Sequence, residues 1–194
     1  MTPPNFPRPP PSWLTNSTVI TFDDVPDGTV IDTHYQSKGV TFATVTNSKH
    51  RPPIWNSQPA YARKTPTAES QPNVVSVERT GGAAFDVRSG GVQAKFATPQ
   101  LYVSIDALAE PIPESVTPPT NKPFIQAFDA QGAVLYTTFY GAYGAWQSLV
   151  VSSSSANIAR VVFSCQHMNQ PDVFGLFDRL IFAERLPPIR LGGP

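Results

Sequence analysis

Leu101-Tyr-Val-Ser-Ile-Asp-Ala107 alternates without a break. Leu101, Val103, Ile105 and Ala107 share one face, and Tyr102, Ser104 and Asp106 share the other. Period-two alternation over such a length is the pattern of a half-buried β-strand. Downstream, Phe124–Phe128 and Val134–Tyr140 flank Asp129-Ala-Gln-Gly132, whose residues favour a hairpin turn. Ser148–Val151, Arg160–Cys165 and Leu176–Ala183 follow as further β-branched or alternating runs. Upstream, Val19–Phe22, Gly39–Ala43, Val74–Val77, Ala83–Val87 and Val92–Phe96 have the same character. About eleven strands with turn signals every 8–12 residues describe a β-sandwich or barrel.

Composition agrees. Twenty-two prolines in 194 residues are roughly twice ordinary usage, and proline breaks helix interiors. Hydrophobic residues make up 40%, enough for one core. Fourteen basic residues balance fourteen acidic ones, so no net field draws the chain to nucleic acid or an acidic membrane. No apolar run reaches the roughly 18 residues of a membrane-spanning helix. A basic start followed by an apolar run is missing, so no secretory signal is expected. The expected location is a virion surface, or the extracellular space reached without a signal peptide. Cys165 is the single cysteine, which excludes an internal disulfide.

The chain divides into residues 1–18, a proline-rich N-terminal arm; 19–183, the sandwich; and 184–194, a C-terminal arm. The arms favour extended polyproline II and bury too little to order alone. Phe6, Trp13, Ile189 and Leu191 are their candidate contacts with neighbouring subunits. His50–Pro72 and Pro111–Pro123 are expected to be long loops.

Asp24 and Asp178 carry the most chemistry. Counting by twos, Ile20, Phe22 and Asp24 share a face, as do Leu176, Asp178, Leu180 and Phe182. Each strand would then place a carboxylate on the core side, where it needs an arginine, amides or a cation. First and last strands commonly lie side by side. Two carboxylates with nearby carbonyls suit calcium, and Asp23 and Asp27 are close enough in sequence to contribute.

The stretch Thr21-Phe-Asp-Asp-Val-Pro-Asp-Gly-Thr-Val30, with Tyr35 and Gly39-Val-Thr-Phe42, resembles the opening of bacterial galactose-binding-like jelly-roll modules, which are similar to carbohydrate-binding domains. Gln71-Pro-Asn-Val-Val75, Phe128-Asp-Ala-Gln-Gly132, Trp146 before Leu149-Val-Val151, and the close Phe177-Asp-Arg-Leu-Ile-Phe182 add to it. The resemblance covers about residues 19–183. It implies an all-β single jelly-roll sandwich and a structural calcium near the joined chain ends, falling on Asp24 and Asp178. Arg179 departs from the small or amide-bearing residue usual after the closing acid. It either turns to solvent or forms a salt bridge in place of the metal.

Trp55 and Tyr61, in the proline-rich loop, are candidate contact residues for a partner or ligand. In Phe139-Tyr-Gly-Ala-Tyr-Gly-Ala-Trp146, the expectation is that Phe139 and Trp146 end the core while Tyr140 and Tyr143 are exposed for stacking. His34, His50 and His167 lack zinc-site spacing. Cys165 is in phase with Val161 and Phe163 as a core thiol. No nucleophile elbow, phosphate loop or dinucleotide fingerprint is present, and an enzyme is not expected.

Two functions remain open. One is a non-enzymatic structural protein of a larger assembly, such as a phage capsid decoration or tail component whose arms reach neighbouring subunits. The other is a calcium-dependent module that binds a cell-surface or matrix glycan.

Overall fold

The computed structural model describes residues 16–46, 54–55, 59–65, 68, 70, 72–76, 90–109, 122–141, 145–166 and 175–184. Both arms, with Phe6, Trp13, Ile189 and Leu191, lie outside the described residues, as do Tyr143 and the expected strand Ala83–Val87.

Among the described residues two antiparallel sheets face one another. One runs in the order β11 (Gln147–Ser152), β8 (Tyr102–Ala109), β13 (Gly175–Ala183), β6 (Asn73–Ser76), β5 (Tyr61–Lys64) and β2 (Thr29–Val30), with β1 (Thr18–Ile20) also paired to β13. The other runs β10 (Val134–Phe139), β9 (Lys122–Phe128), β12 (Ile158–Gln166), β7 (Gly90–Gln100), β3 (Val40–Thr46) and β4 (Ile54–Trp55). This is the all-β sandwich expected from the alternation. The first and last strands are neighbours: Ile20 pairs with Leu180 and Thr18 with Phe182.

The core lies between the sheets. Val103, Ile105 and Ala107 of β8 are fully buried there, opposite Val92 and Ala94 of β7 and Ile125 and Ala127 of β9 in the facing sheet. Phe22, Tyr35 and Phe42 pack edge to face at one end, with ring centroids 5.6–6.0 Å apart. Leu101 falls outside this face. It precedes β8 and joins Tyr102, Ile181 and Ala183 in a smaller apolar cluster.

Part of the expected loop His50–Pro72 is strand. β5 crosses it, pairing Tyr61 with Val30 on one side and with Ser76 on the other. Tyr61 is therefore a half-buried strand residue. Its four-residue strand is too short to show a period. Trp55 sits on β4 at the edge of the second sheet, paired with Val45.

β7 and β12 approach closely at Gly91. A Cβ there would lie 2.8 Å from Ser164 Cβ and 2.9 Å from the Phe163 carbonyl oxygen. The hairpin between β9 and β10 forms as expected. Gly132 adopts φ 85°, its N–H donates to the Asp129 carbonyl, and the Asp129 side chain accepts from Ala133 N–H at 2.8 Å.

Candidate functional site

Two places concentrate chemistry: the carboxylates where β1 meets β13, and the exposed aromatic edge formed by β9 and β10.

The carboxylates are not arranged as simple alternation expects. β1 ends at Ile20, and Phe22 takes φ 64°, a left-handed conformation rare for a bulky residue. The turn keeps Phe22 in the core but resets the phase after it. Asp23, not Asp24, then comes to β13. Asp24 is half-exposed and faces away, where it accepts from the Tyr35 hydroxyl at 2.5 Å and from Lys38 Nζ at 3.1 Å. Burial alone would raise its pKa, but these two donors outweigh burial and hold the carboxyl below its ordinary value. The expected pairing of Asp24 with Asp178 is thus corrected to Asp23 with Asp178. Asp27 also turns elsewhere, to Arg63 at 3.0 Å and the Lys64 N–H at 2.8 Å.

A second reset occurs in β13. Asp178 pairs with Asp106 and Ile181 with Ser104, so Arg179 and Leu180 together oppose Ile105 alone. This is a β-bulge, and Arg179 sits in it at φ 41°. Phe177 and Leu180 face the main core. Asp178 lies in register with Asp106 and Ser148, on the outer face of its sheet, yet it is completely buried.

Three donors hold the Asp178 carboxylate. Ser70 N–H reaches Oδ2 at 2.8 Å; the Ser70 hydroxyl and the Arg179 N–H reach Oδ1 at 2.8 and 2.6 Å. Asp23 accepts from the Asn73 N–H at 2.9 Å, and the Asn73 amide ties down the carbonyls of Phe22 and Val25. Burial is the dominant effect on Asp178. It pushes the carboxyl up to about 7 against the pull of those donors, and Asp23 adds repulsion. Burial raises Asp23 as well.

Arg179 does neither thing expected of it. Its side chain is buried and its Nε lies 2.5 Å from Asp106 Oδ2. The Ser148 hydroxyl donates to the other oxygen of Asp106. The arginine therefore neutralises Asp106 and gives Asp178 only its backbone N–H. Sequence reading placed Asp106 on a polar strand face and missed this partnership. The signal was indirect: a second acid in register with the closing one.

The donor class at Asp23 and Asp178 fits a hard cation: two carboxylates with raised pKa, while Lys38, Arg63 and Arg179 are engaged by other acids. Among the described residues no group of three His, Cys, Asp or Glu side chains is placed around one metal position.

The aromatic edge also differs from expectation. Tyr140 is buried at 1% exposure and its hydroxyl donates to the Ala145 carbonyl; Trp146 is buried too. Phe139 is 48% exposed. The register explains the exchange. Phe139 pairs with Phe124 on the outer face of the edge strand, whereas Tyr140 lies past the strand end and turns into the core. The Phe124 and Phe139 ring centroids are 6.0 Å apart. One step along the same face, Gln126 donates to the Thr137 hydroxyl at 3.0 Å. Tyr136 on the same strand is 44% exposed.

No protein-family model matches the chain, and no curated protein sequence does. Solved structures similar to it include the family 32 carbohydrate-binding module of C. perfringens NanJ in complex with galactose. That match has 11% identity over 79% of this chain and 98% of that one, with a TM-score of 0.35. A cleaved adhesin domain of Lys-gingipain from Porphyromonas gingivalis shows 14% identity over 88% and 99%, with a TM-score of 0.39. A family 29 carbohydrate-binding module shows 10% identity over 78% and 99%, with a TM-score of 0.32.

Proposed function

We propose that this chain is a non-catalytic β-sandwich that binds a glycan through the exposed edge of its second sheet. The observation that carries this reading is the Phe139–Phe124 ring pair beside the Gln126–Thr137 amide and hydroxyl. An exposed aromatic face takes the C–H face of a sugar ring, and neighbouring amide and hydroxyl groups take its hydroxyls. The sequence resemblance to galactose-binding-like modules points the same way.

Affinity electrophoresis through gels of soluble polysaccharides, followed by a glycan array, tests the reading. At least one glycan should retard the protein, and Phe139→Ala should abolish retardation while leaving the melting temperature unchanged. Failure to bind any glycan at high protein concentration overturns it.

The same reading includes a structural calcium held by Asp23 and Asp178. A divalent ion relieves the repulsion that burial creates between them, and carbonyls and water complete its shell of about six to eight oxygens. The assembly reading, with a virion as the setting, rests on the two arms, which lie outside the described residues.

A further inference from the structure

β10 (Val134–Phe139) ends the second sheet, and among the described residues its only ladder partner is β9. The phase of that ladder shows which main-chain groups it leaves over. Tyr140 N–H donates to the Pro123 carbonyl, and Phe139, Thr138 and Thr137 stand opposite Phe124, Ile125 and Gln126. In an antiparallel pair, residues that exchange hydrogen bonds alternate with residues that do not. Thr138 therefore turns its N–H and C=O to β9, while Thr137 and Phe139 turn theirs away from it. Among the described residues no partner meets these outward groups.

An exposed edge is a template for another strand, and proteins blunt such edges with charge, proline or shortness. β2 and β4 are two residues long. On β11, the other long edge, the Val150 carbonyl accepts from the Thr138 hydroxyl at 2.6 Å. β10 has six residues, Val134-Leu-Tyr-Thr-Thr-Phe139, without charge or proline, and its bulge lies at the start, between Val134 and Tyr136. Val134, Tyr136 and Phe139 are three of the four large apolar side chains exposed among the described residues.

We infer that β10 pairs antiparallel with β10 of a second copy, across a two-fold axis at Thr138. The outward groups fix the register. Thr137 of each copy stands opposite Phe139 of the other, the two exchange both main-chain bonds, and every outward N–H meets an outward C=O. A strand that complements itself in this way is what an isologous contact requires. Charge does not oppose it: the strand is uncharged, and fourteen basic residues balance fourteen acidic ones, so two copies meet without net repulsion. The same lack of charge gives a foreign strand nothing to be selected by. The contact is small, so the dimer forms and dissociates with concentration. Side chains stand roughly perpendicular to a sheet, so Phe139 keeps its outer face, and the inference goes beyond the glycan reading without needing it.

Sedimentation velocity of the full chain in sugar-free buffer, over two decades of concentration, should show a reversible monomer–dimer equilibrium. Residue-resolved amide exchange by NMR reads the register. The N–H groups of Thr137 and Phe139 should become protected as concentration rises, whereas Thr138 N–H, which faces β9, should be protected throughout. Thr137→Pro removes one outward donor per copy and no bond to β9, and should weaken association about tenfold or more. Thr137→Lys keeps the donor but sets like charges diagonally across the axis on one face, so its dimer should weaken at low salt and recover at high salt. In either variant, protection of Thr138 reports an intact β9–β10 pair. A chain that stays monomeric at every concentration overturns the inference and leaves the edge to a strand of another protein. A dimer whose protected amides lie elsewhere, or which both variants leave unchanged, overturns it too. None of these results bears on glycan retardation, which tests the other reading by itself.

Discussion

Arg179 and Asp106 form an ion pair across β13 and β8, Nε to Oδ2 at 2.5 Å, with side-chain exposures of 5% and 3%. The pair exists because the bulge after Asp178 frees Arg179 from the ladder and swings it over the neighbouring strand. A buried ion pair adds little net stability over an apolar replacement, but losing one partner strands a charge. Arg179→Met is therefore expected to cost about 3–5 kcal/mol in urea unfolding. The double variant Arg179→Met, Asp106→Leu should cost less than the two single changes summed. Strict additivity would show that the two side chains do not depend on one another.

Gly91 tests the packing of the second sheet. Its missing Cβ makes room for Ser164 and the Phe163 carbonyl. Gly91→Ala is expected to lose about 1–3 kcal/mol by overpacking. Gly132 is the control, with φ 85° and open space around it. Gly132→Asn should change stability little, because asparagine accepts the left-handed conformation. Equal effects on the two melting temperatures would contradict the steric explanation.

Tyr35 and Asp24 carry a smaller load. Burial, then the Asp24 carboxylate, push the Tyr35 phenol up, so it stays a protonated donor throughout the accessible pH range. Tyr35→Phe removes one of the two donors to a half-exposed carboxylate. The expected loss is about 0.5–1.5 kcal/mol. Lys38→Met should cost less still, with an effect that shrinks in high salt, because the ion pair is open to solvent. A salt-independent loss in Lys38→Met would mean its contribution is packing over the Tyr35 ring.

The fold was legible because its strands follow hydrophobic alternation. Val103, Ile105 and Ala107 are where period two puts them. The site was less legible because two residues break that period. Phe22 and Arg179 both take positive φ, and each shifts its downstream neighbours by one face. Nothing in the local composition announces a left-handed phenylalanine or arginine; glycine or asparagine would have been the visible marker. So counting by twos chose Asp24 over Asp23, and it set Asp178 on the core face, whereas Asp178 is buried on the outer face in register with Asp106. Tyr140 and Phe139 were exchanged for a related reason. Which of two adjacent aromatics faces the core depends on where the strand stops, and strand ends are the least marked feature of a sequence.

Asp178 makes stability depend on pH in an unusual direction. Its carboxyl lies near 7 in the folded chain against an ordinary value of 3.8. Between about pH 4 and pH 7 the folded state holds a proton that the unfolded chain has released. Stability therefore falls as pH rises through that window, by up to roughly 1.4 kcal/mol per unit for one proton, and levels off above it. Asp23, also raised, acts in the same sense. In the presence of chelator the melting temperature should be higher at pH 5 than at pH 8. Asp178→Asn should flatten the difference, since it carries no charge at either pH. In the proposed calcium site the ion would take the proton's place as counter-charge, so adding it at pH 8 should raise the melting temperature, and the gain should vanish in Asp178→Asn. A melting temperature at pH 8 in chelator equal to that at pH 5 would mean the donors from Ser70 and Arg179 compensate the buried charge in full. A calcium response retained in Asp178→Asn would move the metal away from this pair.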